Sequence, residues 1–478
     1  MNNICLVQAD PLSHPIGEKA KLRLDNNIVF RDGLLHVKKK LTNSVCRTSK
    51  YSRFLLMDRR FFLKSSGIGL ASFGLMAVAP DFLHQFAAAQ TVAKSYGKKK
   101  VLVTVFQRGA VDGLNVVVPH GDGRYYDLRP TIAVPQPKKT DGAIDLDGFF
   151  GLHPSLAPLE PLWKSKQFAI IEAAGSPDNT RSHFDAQDYM ESGTPGNKGT
   201  RDGWLNRILQ NEKEKDESPF RAVAMTQQLP RSLYGRASAI AMSNLADFSI
   251  KAGAYTQNMQ GGFEAAWQDN AKDGLGDTGK ETFEAVNFLK QANPAQYKPE
   301  NGATYPNTEF GRSMMQIAQL IKAGVGLEIA FTDTGNDVRW DTHVQEGGSR
   351  GQLANYLRSY GQALAAFSTD LGKRMDDVVV VTMSEFGRTA RENGSRGTDH
   401  GHANAMFVIG NTVKGGKVYG DFKGLKDDQL NEGRDLALTT DFRDVFAEAA
   451  SKHLGNKSLD KIFPGYTTSA SKFKGYLG

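Results

Sequence analysis

Five predominantly apolar runs, each next to a polar, glycine-marked loop, recur along this chain from residue 101 onward: residues 101–106, 168–171, 326–331, 377–382 and 405–410. They are rich in β-branched residues and show no polar alternation, the pattern of strands buried on both faces. Between them the apolar positions fall at helical spacing. Residues 156–163, 314–323 and 353–371 read as helices. So does a segment opening near Ser182 that carries Phe184, Ala186, Tyr189 and Met190. This alternation predicts an α/β fold, a mostly parallel, doubly wound sheet flanked by helices. Residues 235–310 have another texture, rich in Gly, Gln, Asn and Lys, and read as an inserted, mostly helical subregion within a domain spanning 101–478.

Ahead of that domain the pattern changes. Arg59 and Arg60 lie in the run Asp58-Arg59-Arg60-Phe61-Phe62-Leu63-Lys64, followed by a mild apolar stretch over 67–79 and a small-residue exit, Ala87-Ala88-Ala89. Basic, apolar and small-residue regions in that order make a signal peptide, and the paired arginine marks the twin-arginine route. The plain alternative is a chance arginine pair before a buried helix. The apolar stretch is 13 residues long, short of the roughly 20 that span a bilayer, so a cleaved leader is expected over 57–89 rather than an anchor. Residues 1–56 then read as a mis-assigned start or a disordered extension, and 90–100 as a linker. The product is expected outside the cytoplasm, periplasmic or secreted.

Charge follows the same division. Residues 1–89 hold 13 Lys and Arg against 6 Asp and Glu, which leaves 46 of each in the remainder. The basic balance of the whole chain therefore belongs to the leader and gives no argument for nucleic acid. Both cysteines, Cys5 and Cys46, precede Met57, so the mature part has no disulfide, thiolate metal site or cysteine nucleophile.

In open α/β sheets the ligand site lies beyond the carboxyl ends of the strands. Applied strand by strand, that rule gathers Asp112 after the first run and Ser182 with His183 after the second. Asp341 and His343 follow the third, Glu385 and Arg388 the fourth, and Asp399, His400 and His402 precede the fifth. Mixed imidazole and carboxylate donors suit zinc, manganese or a similar divalent ion, one or two per site. Each cluster by itself is equally compatible with a turn or a cap. Ser182 opens a helix and is either an N-cap or a metal-activated nucleophile. Arg181 and Arg388 are candidate clamps for an anionic substrate, with solvated loop arginines as the alternative. His120, His153 and His453 read as packing residues.

Taken together, residues 108–115, Leu152-His153-Pro154, residues 181–187, Trp340-Asp341-Thr342-His343, residues 384–388 and 397–402 resemble the domain of unknown function 1501 family, exported bacterial proteins of the alkaline-phosphatase-like superfamily. The resemblance implies a sheet flanked by helices with one or two metals at the strand ends. By it Asp112, Asp341, His343 and His400 or His402 are ligands and Ser182 the nucleophile. It also implies an Asp-His pair after the fourth strand, where this chain has Ser384-Glu385; Glu385 is then a substitute ligand, or Asp399-His400 serves as the pair. The expectation is an exported metal-dependent hydrolase of phosphate or sulfate esters. The alternative is a catalytically degenerate binding or assembly protein of the same fold, working with an exported partner protein. A redox enzyme fits less well, because neither cysteine ligands nor a dinucleotide glycine fingerprint is present.

Overall fold

The computed structural model describes residues 99–211, 218–245 and 296–478, and the backbone of one short hairpin, Val29–Arg31 paired antiparallel with Leu34–His36. Residues 1–80 and 81–478 form separate units. The leader at 57–89, the linker as far as residue 98 and the centre of the expected insertion (246–295) lie outside the described residues. Among the described residues no helix is long and apolar enough to cross a membrane.

The larger unit is built on a nine-stranded sheet. Its strands are β1 (Val101–Phe106), β2 (Phe168–Gly175), β3 (Ala222–Ala224), β4 (Ile240–Ala241), β5 (Ile329–Asp333), β6 (Val378–Met383), β7 (Asn404–Ile409), β8 (Lys417–Tyr419) and β9 (Thr440–Asp441). Their order is β8-β2-β7-β6-β1-β5-β3-β4, with β9 beside β2. Only β7 runs against its neighbours; every other pairing in the sheet is parallel. The predicted α/β class and its largely parallel sheet are therefore observed.

Burial explains the apolar runs. Along β1, Val101, Val103 and Val105 enter one core layer, packed with Phe310, Met314 and Ile317 of α3 (Glu309–Ala323) and Leu357, Leu364 and Phe367 of α4 (Gln352–Leu371). Leu102 and Phe106 face the opposite layer. There they meet Trp204 and Ile208 of α2 (Trp204–Gln210) and Phe446 of α5 (Phe442–Glu448). A strand covered on both sides has no polar face to alternate, so continuous hydrophobicity is what it needs. Some boundaries move. The run at 326–331 enters the sheet only from Ile329, and that at 168–171 continues to Gly175. The helix expected over 156–163 is a 3-10 segment, Pro154–Leu159, followed by the short helix Glu160–Lys164. Pro158 and Pro161 lack the N–H groups a continuous α-helix requires. Ile240 and Ala241, inside the expected insertion, form the sheet's edge strand.

The topology brings five loops to one edge. β1, β2, β5 and β6 all end there. Because β7 is antiparallel to β6, the residues before it (397–402) reach the same edge from the other direction. A buried arginine ties these loops together. Each N–H of the Arg129 guanidinium has an acceptor: both Asp112 oxygens, Asn115 Oδ1 at 2.8 Å, Thr389 O at 2.8 Å and Ala390 O at 2.9 Å. The loop after β1 is thereby fixed to the segment after β6. Burial pushes the Asp112 carboxyl up, but Arg129 more than offsets it and holds the group below the usual carboxylate range. Arg129→Leu leaves Asp112 as a buried charge without its counter-ion, and we expect a loss of about 3–5 kcal/mol in urea unfolding.

Candidate metal centre

Three histidines converge at that edge. His183 is the first residue of α1 (His183–Ser192), which is capped by Ser182: its Oγ accepts from Asp185 N at 3.5 Å. The His183 ring packs against Phe386, centroids 4.9 Å apart, and its Nδ1 lies 2.9 Å from Glu385 Oε1. His343 turns Nδ1 towards Asp399 Oδ1 at 3.2 Å, and His400 turns Nδ1 towards the carbonyl oxygen of Arg181 at 2.9 Å. A carboxylate or a carbonyl only accepts. With a cation at the centre, each Nδ1 would therefore be the protonated nitrogen and each Nε2 would offer its lone pair.

His400 Nε2 stands between the other two. His400 Nε2 lies 3.0 Å from both His183 Nε2 and His343 Nε2. Asp341 closes the group, with Oδ1 3.0 Å from His343 Nε2 and 3.1 Å from His400 Nε2, and Oδ2 3.5 Å from His183 Nε2. Lone pairs and a carboxylate held this close repel unless positive charge stands between them. Tetrahedral zinc with Zn–N bonds of about 2.0–2.1 Å sets its donors about 3.3 Å apart, close to the 3.0–3.5 Å separations among His183, Asp341 and His400. Donor types, tautomers and spacing thus fit a divalent metal. The side chains of His343 and Asp341 are 39% and 40% exposed, which leaves one side of the centre open to solvent.

The surroundings tune these groups. Arg388, its side chain fully buried, donates to Asp341 Oδ1 and to both Oγ1 and O of Thr398. Burial pushes Asp341 up, but the bonds with His183, His400 and Arg388 outweigh it and hold the carboxyl far below the ordinary range. Glu385 is wholly buried. Burial raises it, yet hydrogen bonds with His183, Gln187 and Gly109 N keep it ionised below its usual value. Glu346 accepts from Thr342 Oγ1 at 3.0 Å and Thr398 Oγ1 at 2.8 Å, joining the loops that carry His343 and His400. Those loops touch backbone to backbone. A Cβ on Gly397 would sit 2.4 Å from His343 O, and one on Gly401 2.3 Å from Arg388 O.

Not every residue singled out in the sequence is placed at the centre. Asp341 and His400 are, and His343 adjoins them. Glu385 and Asp399 stand one step back, as acceptors for the Nδ1 protons of His183 and His343. Asp112 is bound instead to Arg129, because a fully buried guanidinium lies beside it. His402 is buried and directs Nε2 to Ser176 O at 2.9 Å, away from the other imidazoles. Neither guanidinium is a free clamp: Arg388 is committed to Asp341 and Thr398, and Arg181 to Glu432 and Asp435 at 2.9 and 2.7 Å. Ser182 occupies the cap position. His183 is the donor that sequence reasoning passed over in favour of its neighbour Ser182. The strand-end rule that picked out the other histidines applied to it equally.

The family model described as "Protein of unknown function (DUF1501)" matches residues 163–462. The chain belongs to the DUF1501 family. The matched region contains all three converging histidines and Asp341. No curated protein matches the sequence. Among solved structures, the chain resembles the C-terminal periplasmic domain of EcEptC from Escherichia coli, solved in complex with Zn, at 10% identity and a TM-score of 0.32; 66% of this chain and 74% of that one are covered. The PsFucS1 sulfatase from Pseudoalteromonas sp. gives 10% identity and a TM-score of 0.32, with 79% and 72% covered. The lipoteichoic acid synthase LtaP from Listeria monocytogenes gives 12% and 0.26, with 63% and 59% covered. Likeness at this level says nothing of substrate or activity.

Without a metal, a proton takes the place between His183 and its acceptors. Hydrogen bonds to Asp341 and then to Glu385 outweigh burial and push the His183 pKa up to about 9. This DUF1501 protein should show a His183 ring titrating near pH 9 by NMR when metal-free. The raised value contributes stability that is complete below the ordinary 6.5 and is lost as pH rises through about 9. A bound cation must displace that proton, so metal affinity measured by calorimetry should fall about tenfold for each pH unit below 9.

Proposed function

We propose that this DUF1501 chain is a metal-dependent hydrolase of phosphate or sulfate esters, exported by the twin-arginine route. What supports it most is the cluster of His183, Asp341 and His400, whose ligand atoms lie within 4.8 Å of one another at a partly open point, with His343 Nε2 adjoining it 3.0 Å from both Asp341 Oδ1 and His400 Nε2. His183, His343, His400 and Asp341 would hold the ion. Bound there, a zinc- or manganese-like cation supplies Lewis-acid chemistry towards anionic ester oxygens at neutral pH. The protein's own groups prepare the place. Glu385, Asp399 and the Arg181 carbonyl fix the ring tautomers, and Arg388 balances the charge of Asp341. Ser182 adjoins His183, and its one hydrogen bond as acceptor is a long 3.5 Å, so its hydroxyl is lightly held and available as nucleophile.

A second reading, a non-catalytic exported binding protein, draws on the commitment of both candidate clamp arginines and on Ser384-Glu385 standing where the superfamily has Asp-His. Metal analysis and turnover separate the two. The purified chain should bind about one divalent ion, because Asp112, the acid available to a second, is already paired with Arg129. His343→Ala or Asp341→Ala should weaken that binding beyond the roughly 10–100-fold expected for loss of an outer partner. Hydrolysis of an aryl phosphate or sulfate should vanish on chelation and return with metal. A stoichiometric ion without turnover favours the binding protein, and a chain that takes up no ion overturns the metal reading.

A further inference from the structure

His400 differs from the other two histidines in what holds it. Glu385 and Asp399 are ionised partners for His183 and His343, whereas the partner of His400 Nδ1 is only a backbone carbonyl, that of Arg181. A peptide oxygen in a loop is as well placed as the loop is, and here the loop is held through its side chain. Arg181 Nη2 donates to Asp435 Oδ2 at 2.7 Å. The same carboxylate takes Arg434 Nη1 at 3.3 Å, and Arg434 Nη2 reaches back to the His400 carbonyl oxygen at 2.8 Å. Asp435 thus stands behind both ends of His400: through Arg181 it fixes the acceptor of the ring, and through Arg434 it fixes the backbone.

Asp435 is itself immobile. Its carboxylate has no solvent exposure, and its backbone exchanges hydrogen bonds with Asn431 at 2.8 and 3.0 Å. It also bridges to Thr389, in the segment whose carbonyls receive Arg129. Its position therefore refers back to the body of the sheet rather than to the mobile ends of two arginines, each about one-third exposed.

We infer that Asp435 is a positioning residue for the metal centre, acting through Arg181 and Arg434 to aim His400 Nε2. The inference rests on the metal reading given above. Loss of an outer partner that orients a ligand histidine lowers metal affinity by roughly 10–100-fold. Asp435→Asn keeps the shape and removes the charge that gathers the arginines.

The test is Co(II) titration of the full chain, followed by the visible ligand-field spectrum and by melting of the metal-free protein. Asp435→Asn should bind Co(II) about tenfold more weakly than wild type and shift the visible bands at saturation. Arg434→Met, altered at a partly exposed side chain, should move both readouts the same way and serves if Asp435→Asn does not fold. Wild-type affinity and an unchanged spectrum in a folded variant would overturn the role of Asp435 while leaving the metal centre standing. A lowered melting temperature with unaltered bands at saturation would likewise reduce Asp435 to a structural part. Wild-type protein that binds no Co(II) would remove both the inference and the reading beneath it.

Discussion

Crowding of ring nitrogens about His400 Nε2 is the constraint around which this edge of the molecule is organised. With neither a proton nor a cation between them, rings with Nε2 atoms 3.0 Å apart, as His400 stands to His183 and to His343, would turn away from each other. They are kept facing because each is gripped at the far nitrogen, two by carboxylates and one by a carbonyl. Those grips are in turn supported by buried polar groups: Glu385 by Gly109 N and Gln187, and the 342 and 398 loops by Glu346. Buried polar groups are costly unless satisfied. So large an investment at one strand edge is the sign of a site, and a packing core would need none of it.

How far that edge was legible in the chain depends on the range of the interaction concerned. Apolar runs announce strands covered on both faces, since burial of Val378 to Val381 is a property of the strand itself. The rule that strand ends carry the site then reaches Asp341, His343 and His400, because each lies only a few residues from a recognisable strand. Roles within the site are another matter. Whether Glu385 touches a cation or a histidine is set by a ring contributed from residue 183, and nothing near residue 385 records that. Asp112 carries the same lesson. Its spacing after β1 suits a ligand, but a guanidinium 17 residues away had already claimed it.

The arginines show why charge in a loop reads poorly from sequence. Arg181 and Arg388 occupy positions suited to meeting an anion, and both are directed inward to acids of the protein. A guanidinium has a fixed fork of donors, so once two are matched to a buried carboxylate or carbonyl the group behaves as a bracket. Ser182, next in sequence to His183, is held more loosely, its Oγ accepting from Asp185 N at 3.5 Å.

Gly397 and Gly401 carry a further consequence. Both stand where the backbone of the last ligand loop presses on the carbonyls of His343 and Arg388 without room for a β-carbon. The centre is thus defined as much by two missing methyl groups as by its donors. A DUF1501 relative could keep every histidine and acid intact and still lose their arrangement by gaining an alanine at either place. An inventory of these side chains alone would therefore overestimate how many such relatives keep the arrangement.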